Sequence, residues 1–390
     1  MPPVAPQAKP DCPGFARPAA LPPLKLDPRL ISDPALGPVA AKLAAGQRLE
    51  LADGLALMNS RDLLGLGSLA HAARLAKNGR RAFYVVNRHI NYSNVCSNQC
   101  AFCAFWRQEG DAGAYLLSPA QAAELAAQEP GLPISELHIV GSCHPQVPLS
   151  YYLELLSALS QARPQAALKA FTPVEIDHLA HKSGLSPAQV LDLLQAAGLG
   201  AMPGGGAEVF SPRVRARLCP EKTSGSRWLA ISGLAHARGI PTNATMLYGH
   251  IETPAERVEH LLALREQQDK SHGFSAFIPL AYHPHNTKLG GASHTSGLDD
   301  LRVIASARLL LDNFDHIKAY WVMLGPKLAQ VALNFGADDL DGTIVEERIT
   351  HEAGATTAKG LTEEALRSMI STAGFRPVRR DSFYNSLEQQ

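Results

Sequence analysis

Cys96, Cys100 and Cys103 fall in one short run, CSNQCAFC, with the spacing Cys-x-x-x-Cys-x-x-Cys. Three thiolates so placed suit three corners of a 4Fe–4S cluster and leave the fourth iron open. An open iron can bind a small molecule through its amine and carboxylate and pass it one electron. That is the starting point of radical chemistry from S-adenosylmethionine (SAM). Other uses of the run fit less well. A disulfide framework is at odds with a long chain holding six cysteines and no apolar secretory leader. Zinc sites usually draw on two separated Cys/His pairs, and no second pair stands at a matching spacing. A redox Cys-x-x-Cys needs only two thiols. Ser97, Asn98 and Gln99 keep the intervening loop polar, and Phe102 is placed to shield a cluster face from water. Cys12, Cys143 and Cys219 are scattered and read as small buried thiols.

Further polar and glycine residues recur just after predicted strands. Gly141 and Ser142 lack bulk, so backbone there can approach a ligand, although a tight turn explains them equally well. His144 reads as structural. Thr172 and Glu175 follow the next strand, where a carboxylate can accept from ribose hydroxyls or an ammonium group, or simply start a helix. Three glycines, 204–206, precede Glu208; they form a turn or a flat ligand surface, not a dinucleotide fingerprint. Asn243 and Thr245 alternate along a strand that Gly249 and Glu252 close. His283, His285 and Asn286 cluster at another strand end, as hydrogen-bonding groups more than as metal ligands. Trp321 and Met323 read as core or pocket wall. Acidic and small residues around 338–342, Glu346, Glu347 and 351–354 either close the pocket or form solvated surface.

These groups need a scaffold that brings strand ends together. The chain has 390 residues, 46% of them hydrophobic, enough for one (β/α) barrel of ~250 residues with extensions. Residues 1–30 are proline-rich and read as an extended lead-in, and 31–81 as a helical extension covering the barrel's bottom or flank. From 82 to 345 strand-like and helical stretches alternate eight times, which predicts an α/β fold of the parallel TIM-type barrel class. The expected strand-bearing stretches are 81–94, 135–142, 167–176 (a strand running into a loop), 199–206 (a short strand opening into a glycine loop), 241–250, 274–284 and 316–324, with a weak last one near 337–342. Residues 346–390 form a closing C-terminal extension. Lysine plus arginine equals aspartate plus glutamate at 36 each, which argues against a nucleic-acid or anionic-membrane partner. No apolar run reaches the ~20 residues of a membrane span. A cytoplasmic location, where thiols stay reduced, is expected.

The cysteine run resembles that of the radical SAM superfamily. Within it, the stretches KAFTPVEID, PGGGAEVF, GFSAFIPLAYHPHNT and YWVMLGPKLAQVALNFGADDLDGT are similar to the aminofutalosine synthase family of menaquinone biosynthesis. The similarity spans most of residues 84–376. One departure is Gly141-Ser142 where many members of the superfamily carry Gly-Gly. The resemblance implies cluster ligation by Cys96, Cys100 and Cys103. Phe102, beside the cluster, and Gly141, Ser142, Thr172, Glu175, Glu208, Gly249 and Glu252 are the expected cofactor-binding positions. Lys169, Asn243, His283, His285 and Asn286 are the expected contacts to a substrate with two carboxylates, 3-enolpyruvyl-oxybenzoate. SAM is consumed, and the 5′-deoxyadenosyl radical adds to the alkene, followed by aryl migration and bicarbonate loss. An electron donor such as flavodoxin or ferredoxin is implied. The alternatives are the related cyclic dehypoxanthinylfutalosine synthase, which abstracts hydrogen, and a non-catalytic iron–sulfur protein.

Overall fold

A computed structural model describes residues 15, 20–290, 294–345 and 348–387. Cys12, Glu346, Glu347 and most of the proline-rich lead-in lie outside them. Nine strands occur among the described residues: β1 Arg81–Val85, β2 Asn87–Ile90, β3 Glu136–Ile139, β4 Ala167–Ala170, β5 Leu199–Ala201, β6 Thr242–Tyr248, β7 Phe274–Ala281, β8 Asp339–Gly342 and β9 Arg376–Arg380. They pair as β8-β1-β9, β2-β3-β4-β5 and β6-β7, all parallel.

Single parallel bridges join these groups: Met202 to Thr242, Phe277 to Ile317, Lys318 to Asp339 and Arg88 to Val345. One residue separates β1 from β2. The pairings therefore run in a cycle from β2 through β7, across residues 317–318 to β8 and back to β1, which is barrel connectivity. Every residue of β6 is buried, as expected of a parallel strand covered on both faces.

Local sequence explains the helices that join the strands. Ser118, Ser186 and Thr253 each cap a helix with a reciprocal Gln121, Gln189 or Glu256 and a proline in the first turn. Such a cap contributes about 1 kcal/mol. The N-terminal helices lie on the flank. Leu51–Asn59 packs on Pro254–Ser271, where a Cβ added to Gly54 would meet Val258 at 2.5 Å. Leu63–Asn78 packs on Gly297–Leu310.

The structure departs from the expected stretches most at three places. Residues 173–176, expected as loop, are helical: Thr172 and Glu175 form a capping box that opens the helix Pro173–Ser183. Of 316–324 only Ile317 and Lys318 pair as strand, and Trp321–Leu324 is a helical turn whose Trp321 indole donates to Gly342 O at 2.8 Å. The strand expected over 81–94 is interrupted at Val86 and stops at Ile90. The C-terminal extension does two things. Its β9 joins β1 at the N-terminal end of the barrel, register Arg81 to Arg376. Its Ile349, Thr350 and Ala353 border a cavity at the opposite end.

Candidate active site

After β2 the chain folds back on itself through bridges Ser93–Leu116 and Val95–Arg107. The loop so formed is tied down from several sides. Cys96 N–H donates to Arg107 O at 3.1 Å, Ala101 N–H to Leu218 O at 2.8 Å, and Lys288 N–H to Ala101 O at 2.8 Å. The Trp106 indole donates to Cys100 O at 3.2 Å. Cys96, Cys100 and Cys103 are free thiols, and all three border one cavity of about 310 Å³ at the C-terminal ends of the strands.

Their environments differ. A hydrogen bond with Cys143 brings the Cys96 thiol down to about 6, against the effect of burial. Burial pushes Cys100 up to about 12 and raises Cys103 as well. Binding iron would displace these protons, since the thiolate is the ligand. Among the described residues no three His, Cys, Asp or Glu side chains gather tightly enough to hold a single metal ion. The donor set is all sulfur and fits a cluster, in which each thiolate takes a different iron.

Cys143 is part of this wall. Its sulfur accepts from Asn98 Nδ2 at 3.2 Å, and its carbonyl accepts from Ser97 N–H at 3.0 Å and Ser97 Oγ at 3.1 Å. Next to it, Gly141 leaves room for Tyr92, whose ring a Cβ would meet at 2.6 Å. The Tyr92 hydroxyl lies 2.7 Å from Glu175 Oε1 and 3.0 Å from Ser142 O. Glu175 also accepts from Thr172 N–H at 2.7 Å. Glu175 thus both caps a helix and borders the cavity.

Beside the cysteine loop Glu208 Oε1 meets Lys222 Nζ at 2.7 Å. Burial works against the Lys222 charge, but the Cys100 sulfur, when ionised, and the Glu208 carboxylate raise its pKa well above the ordinary lysine value. The ammonium also stands 5.1 Å from the Phe102 ring centroid. Gly204 packs against Asn243, whose carbonyl a Cβ would meet at 2.4 Å, so backbone forms this wall. Glu208 and Asp341 both border the cavity and both hold positive φ, +47° and +68°. Strained backbone of this kind concentrates at functional sites.

The barrel interior beneath the cavity is ionic. Lys169 pairs with Glu136 at 3.4 Å, Lys318 with Asp341 at 3.0 Å and Arg380 with Asp339 at 2.6 Å. Burial takes Lys169 down to about 8, with Glu136 opposing. Opposition from burial is overcome at Asp341, which Lys318, Lys169 and Arg380 hold down at about 2.

Of the expected site residues, the structure gathers Cys96, Cys100, Cys103, Phe102, Gly141, Ser142, Thr172, Glu175, Glu208, Asn243, Thr245 and His283 around the cavity, with Met323. It sets five others apart from the lining. Lys169 is buried in the ionic layer below. Glu252 accepts from Gly249 N–H at 2.6 Å and pairs with Arg257 at 2.8 Å, so both Gly249 and Glu252 close their own turn. Asn286 donates to Glu352 O at 2.9 Å, and the His285 ring centroid lies 4.9 Å from that of His294. These two residues are exposed and hold loops, because the chain leaves the cavity after His283.

Relatives identify the arrangement. The chain is 46% identical over 365 residues to the aminodeoxyfutalosine synthase of Thermus thermophilus, covering 92% of this chain and 98% of that one. It belongs to the aminodeoxyfutalosine synthase family of radical SAM enzymes. A second member, from Streptomyces coelicolor, is 44% identical over 89% of this chain and 93% of its own length. The radical SAM superfamily model matches residues 90–264, and the CofH/MqnC C-terminal region model matches 271–390. The synthase family also has archaeal relatives of another name. The 5-amino-6-(D-ribitylamino)uracil–L-tyrosine 4-hydroxyphenyl transferase of Methanopyrus kandleri is 42% identical over 82% of this chain and 88% of its own. Two solved structures share the fold. The FeFe-hydrogenase maturase HydG of Carboxydothermus hydrogenoformans has a TM-score of 0.71 at 16% identity, covering 90% of this chain and 80% of that one. Methylornithine synthase (PylB) has 0.67 at 19%, covering 87% and 97%.

Sequence reading passed over several cavity residues of this synthase-family chain. Lys222 lies in a loop with no motif. Cys143 looked incidental because its spacing to the cysteine run is long. His89 and His138 looked like ordinary strand residues, although their period-two placement beside Asn87 and Glu136 marked one polar strand face.

Proposed function

We propose that this enzyme joins the 5′-deoxyadenosyl group of SAM to 3-[(1-carboxyvinyl)oxy]benzoate. In the net reaction SAM, the enol ether and water give 6-amino-6-deoxyfutalosine, methionine, bicarbonate and a proton. The 5′ carbon bonds to the alkene CH2, the aryl group migrates from oxygen to carbon, and the carboxyl carbon leaves as bicarbonate. The observation that carries this reading is the convergence of three free thiols on one strand-end cavity in a chain 46% identical to an aminodeoxyfutalosine synthase.

Cys96, Cys100 and Cys103 would hold a 4Fe–4S cluster, which when bound supplies the electron that splits SAM into methionine and the 5′-deoxyadenosyl radical. The chain's own residues do the positioning. Leu247, Ile278 and Leu280 give the cavity apolar walls that keep water from a reactive carbon. Gly141 and Ser142 offer backbone, and Glu175, Glu208 and Thr172 offer polar atoms, on the side nearest the cysteine loop. Asn243 and Thr245 on β6 and His283 just past the end of β7 complete the lining. Holding an alkene close to a radical carbon is worth more here than acid–base chemistry. The reading takes a low-potential flavodoxin or ferredoxin as electron donor and the cytoplasm as location. No helix of the described residues is long and apolar enough to cross a membrane.

A second reading, aryl transfer from tyrosine to a ribitylaminouracil, is favoured by the 42% identity to the archaeal transferase. The cyclic dehypoxanthinylfutalosine synthase reading shares the cavity and differs in substrate. An iron–sulfur carrier would have little use for a cavity of this size. Anaerobic cluster-loaded enzyme, given SAM and reductant with each substrate in turn, separates them by product mass. The enol ether should yield an adenosylated aryl product, and tyrosine should yield none.

A further inference from the structure

β2, β3 and β4 run in strict register, with His89 opposite His138 and His138 opposite Lys169. Side chains alternate along strands, so these three share one face, with Asn87 and Glu136 on the same face one layer below. Each stands one residue short of its strand's end. The His89 and His138 rings stack with centroids 4.5 Å apart and planes 17° from parallel. Both border the cavity, whereas Lys169 lies behind them against Glu136.

The charges around this pair are already balanced. Asp341 is met by Lys318 at 3.0 Å, with Arg380 at 3.9 Å, and Glu136 by Lys169 at 3.4 Å. His138 Nδ1 stands 3.8 Å from Glu136 Oε1, within ion-pair reach when the ring is protonated. The lysine of the lining, Lys222, is engaged by Glu208 beside the cysteine loop, and His283 reaches Met323 O at 3.1 Å from β7's end. The walls between include Val140, Leu247 and Ile278. An anion with a flat apolar body matches this floor: carboxylate toward imidazole N–H groups, ring against the aliphatic wall.

We propose that the stacked His89–His138 pair docks the ring carboxylate of the aryl substrate, leaving its enol ether toward the cysteine loop. The assignment rests on the reaction proposed above and adds which end of the substrate enters first. It also makes the pair a specificity element, since the ring of tyrosine carries a phenol in place of a carboxylate.

The test uses anaerobic, cluster-loaded full-length protein and equilibrium binding of 3-hydroxybenzoate, with 3-hydroxybenzamide as the neutral probe. Wild type should prefer the carboxylate by about tenfold to a hundredfold, the range of a charge-assisted hydrogen bond. His138→Gln and His89→Gln should each lose most of that preference while still binding the amide. In turnover, the same variants should raise KM for the enol ether more than they lower kcat. A wild type with no carboxylate preference, or variants that keep it, overturns the assignment. Absence of any adenosylated product from wild type would instead overturn the reaction, because the binding comparison reads independently of turnover.

Discussion

Lys222 Nζ meets Glu208 Oε1 at 2.7 Å in the wall that also carries Phe102, Cys100 and Cys103. Both side chains are nearly inaccessible, so each depends on the other for its charge. Glu208→Gln would leave a buried ammonium unpaired. The expected loss is about 3 kcal/mol of stability, read as a lower unfolding midpoint in denaturant. A midpoint equal to wild type would mean that water or another group already serves Lys222.

The cysteine assignment separates ligands from neighbours. Cys96→Ala, Cys100→Ala and Cys103→Ala should each lose iron–sulfide absorbance after anaerobic reconstitution. Cys143→Ala and Cys219→Ala should keep it, although Cys143 sits within reach of Asn98 at 3.2 Å. Iron retained in Cys100→Ala, or lost only in Cys143→Ala, would reassign the ligand set.

Gly141 lies where a methyl group would strike the Tyr92 ring at 2.6 Å, and Tyr92 is wholly buried. Gly141→Ala should cost about 1–3 kcal/mol by overpacking. By displacing the Tyr92–Glu175 contact it should also weaken SAM binding, measured by equilibrium titration of cluster-loaded protein. Unchanged SAM affinity would remove this corner from the binding site.

Two histidines set an acid sensitivity. Burial takes His236 and His260 down to about 3. His260 accepts from Phe210 N–H at 3.2 Å and so donates from Nε2 to Thr245 O at 2.9 Å, as a neutral ring. Unfolded, each binds a proton near its ordinary value of 6.5; folded, neither does until about 3. Stability is therefore full above pH 6.5 and falls as pH drops toward 3. Between pH 6 and pH 5 each histidine should remove about 1 kcal/mol. Denaturant midpoints at the two pH values check this, and His260→Gln should show a shallower decline than wild type.

Much of the fold is legible in the sequence because local signals agree. Ser118-Pro119, Ser186-Pro187 and Thr253-Pro254 announce helix starts, and the apolar runs at 242–248 and 274–281 read as buried parallel strands. The reading fails where two signals compete. At 167–176 an apolar strand runs straight into the Thr172–Glu175 capping box, so a helix begins at once where a connecting loop is expected. At 316–324 aromatic and branched residues suggest strand, yet the Trp321 hydrogen bond to Gly342 O fixes a helical turn. β9 has no local partner in sequence, since its register pairs Arg81 with Arg376, far apart along the chain.

The site divides in the same way. The cysteine run is legible because ligand spacing is local. Lys222, Cys143 and the His89–His138 pair are not, because only the barrel brings separate strand ends together. Lys169 and Glu252 show the converse: charged residues at expected strand ends that tertiary packing uses for the ionic interior and for a turn.

The most direct test of the account is the mass of the product formed by anaerobic cluster-loaded enzyme from SAM and 3-[(1-carboxyvinyl)oxy]benzoate. The account predicts one species holding adenosine and the aryl carboxylate together, formed with one methionine per turnover. Release of free 5′-deoxyadenosine with the enol ether left intact would contradict it.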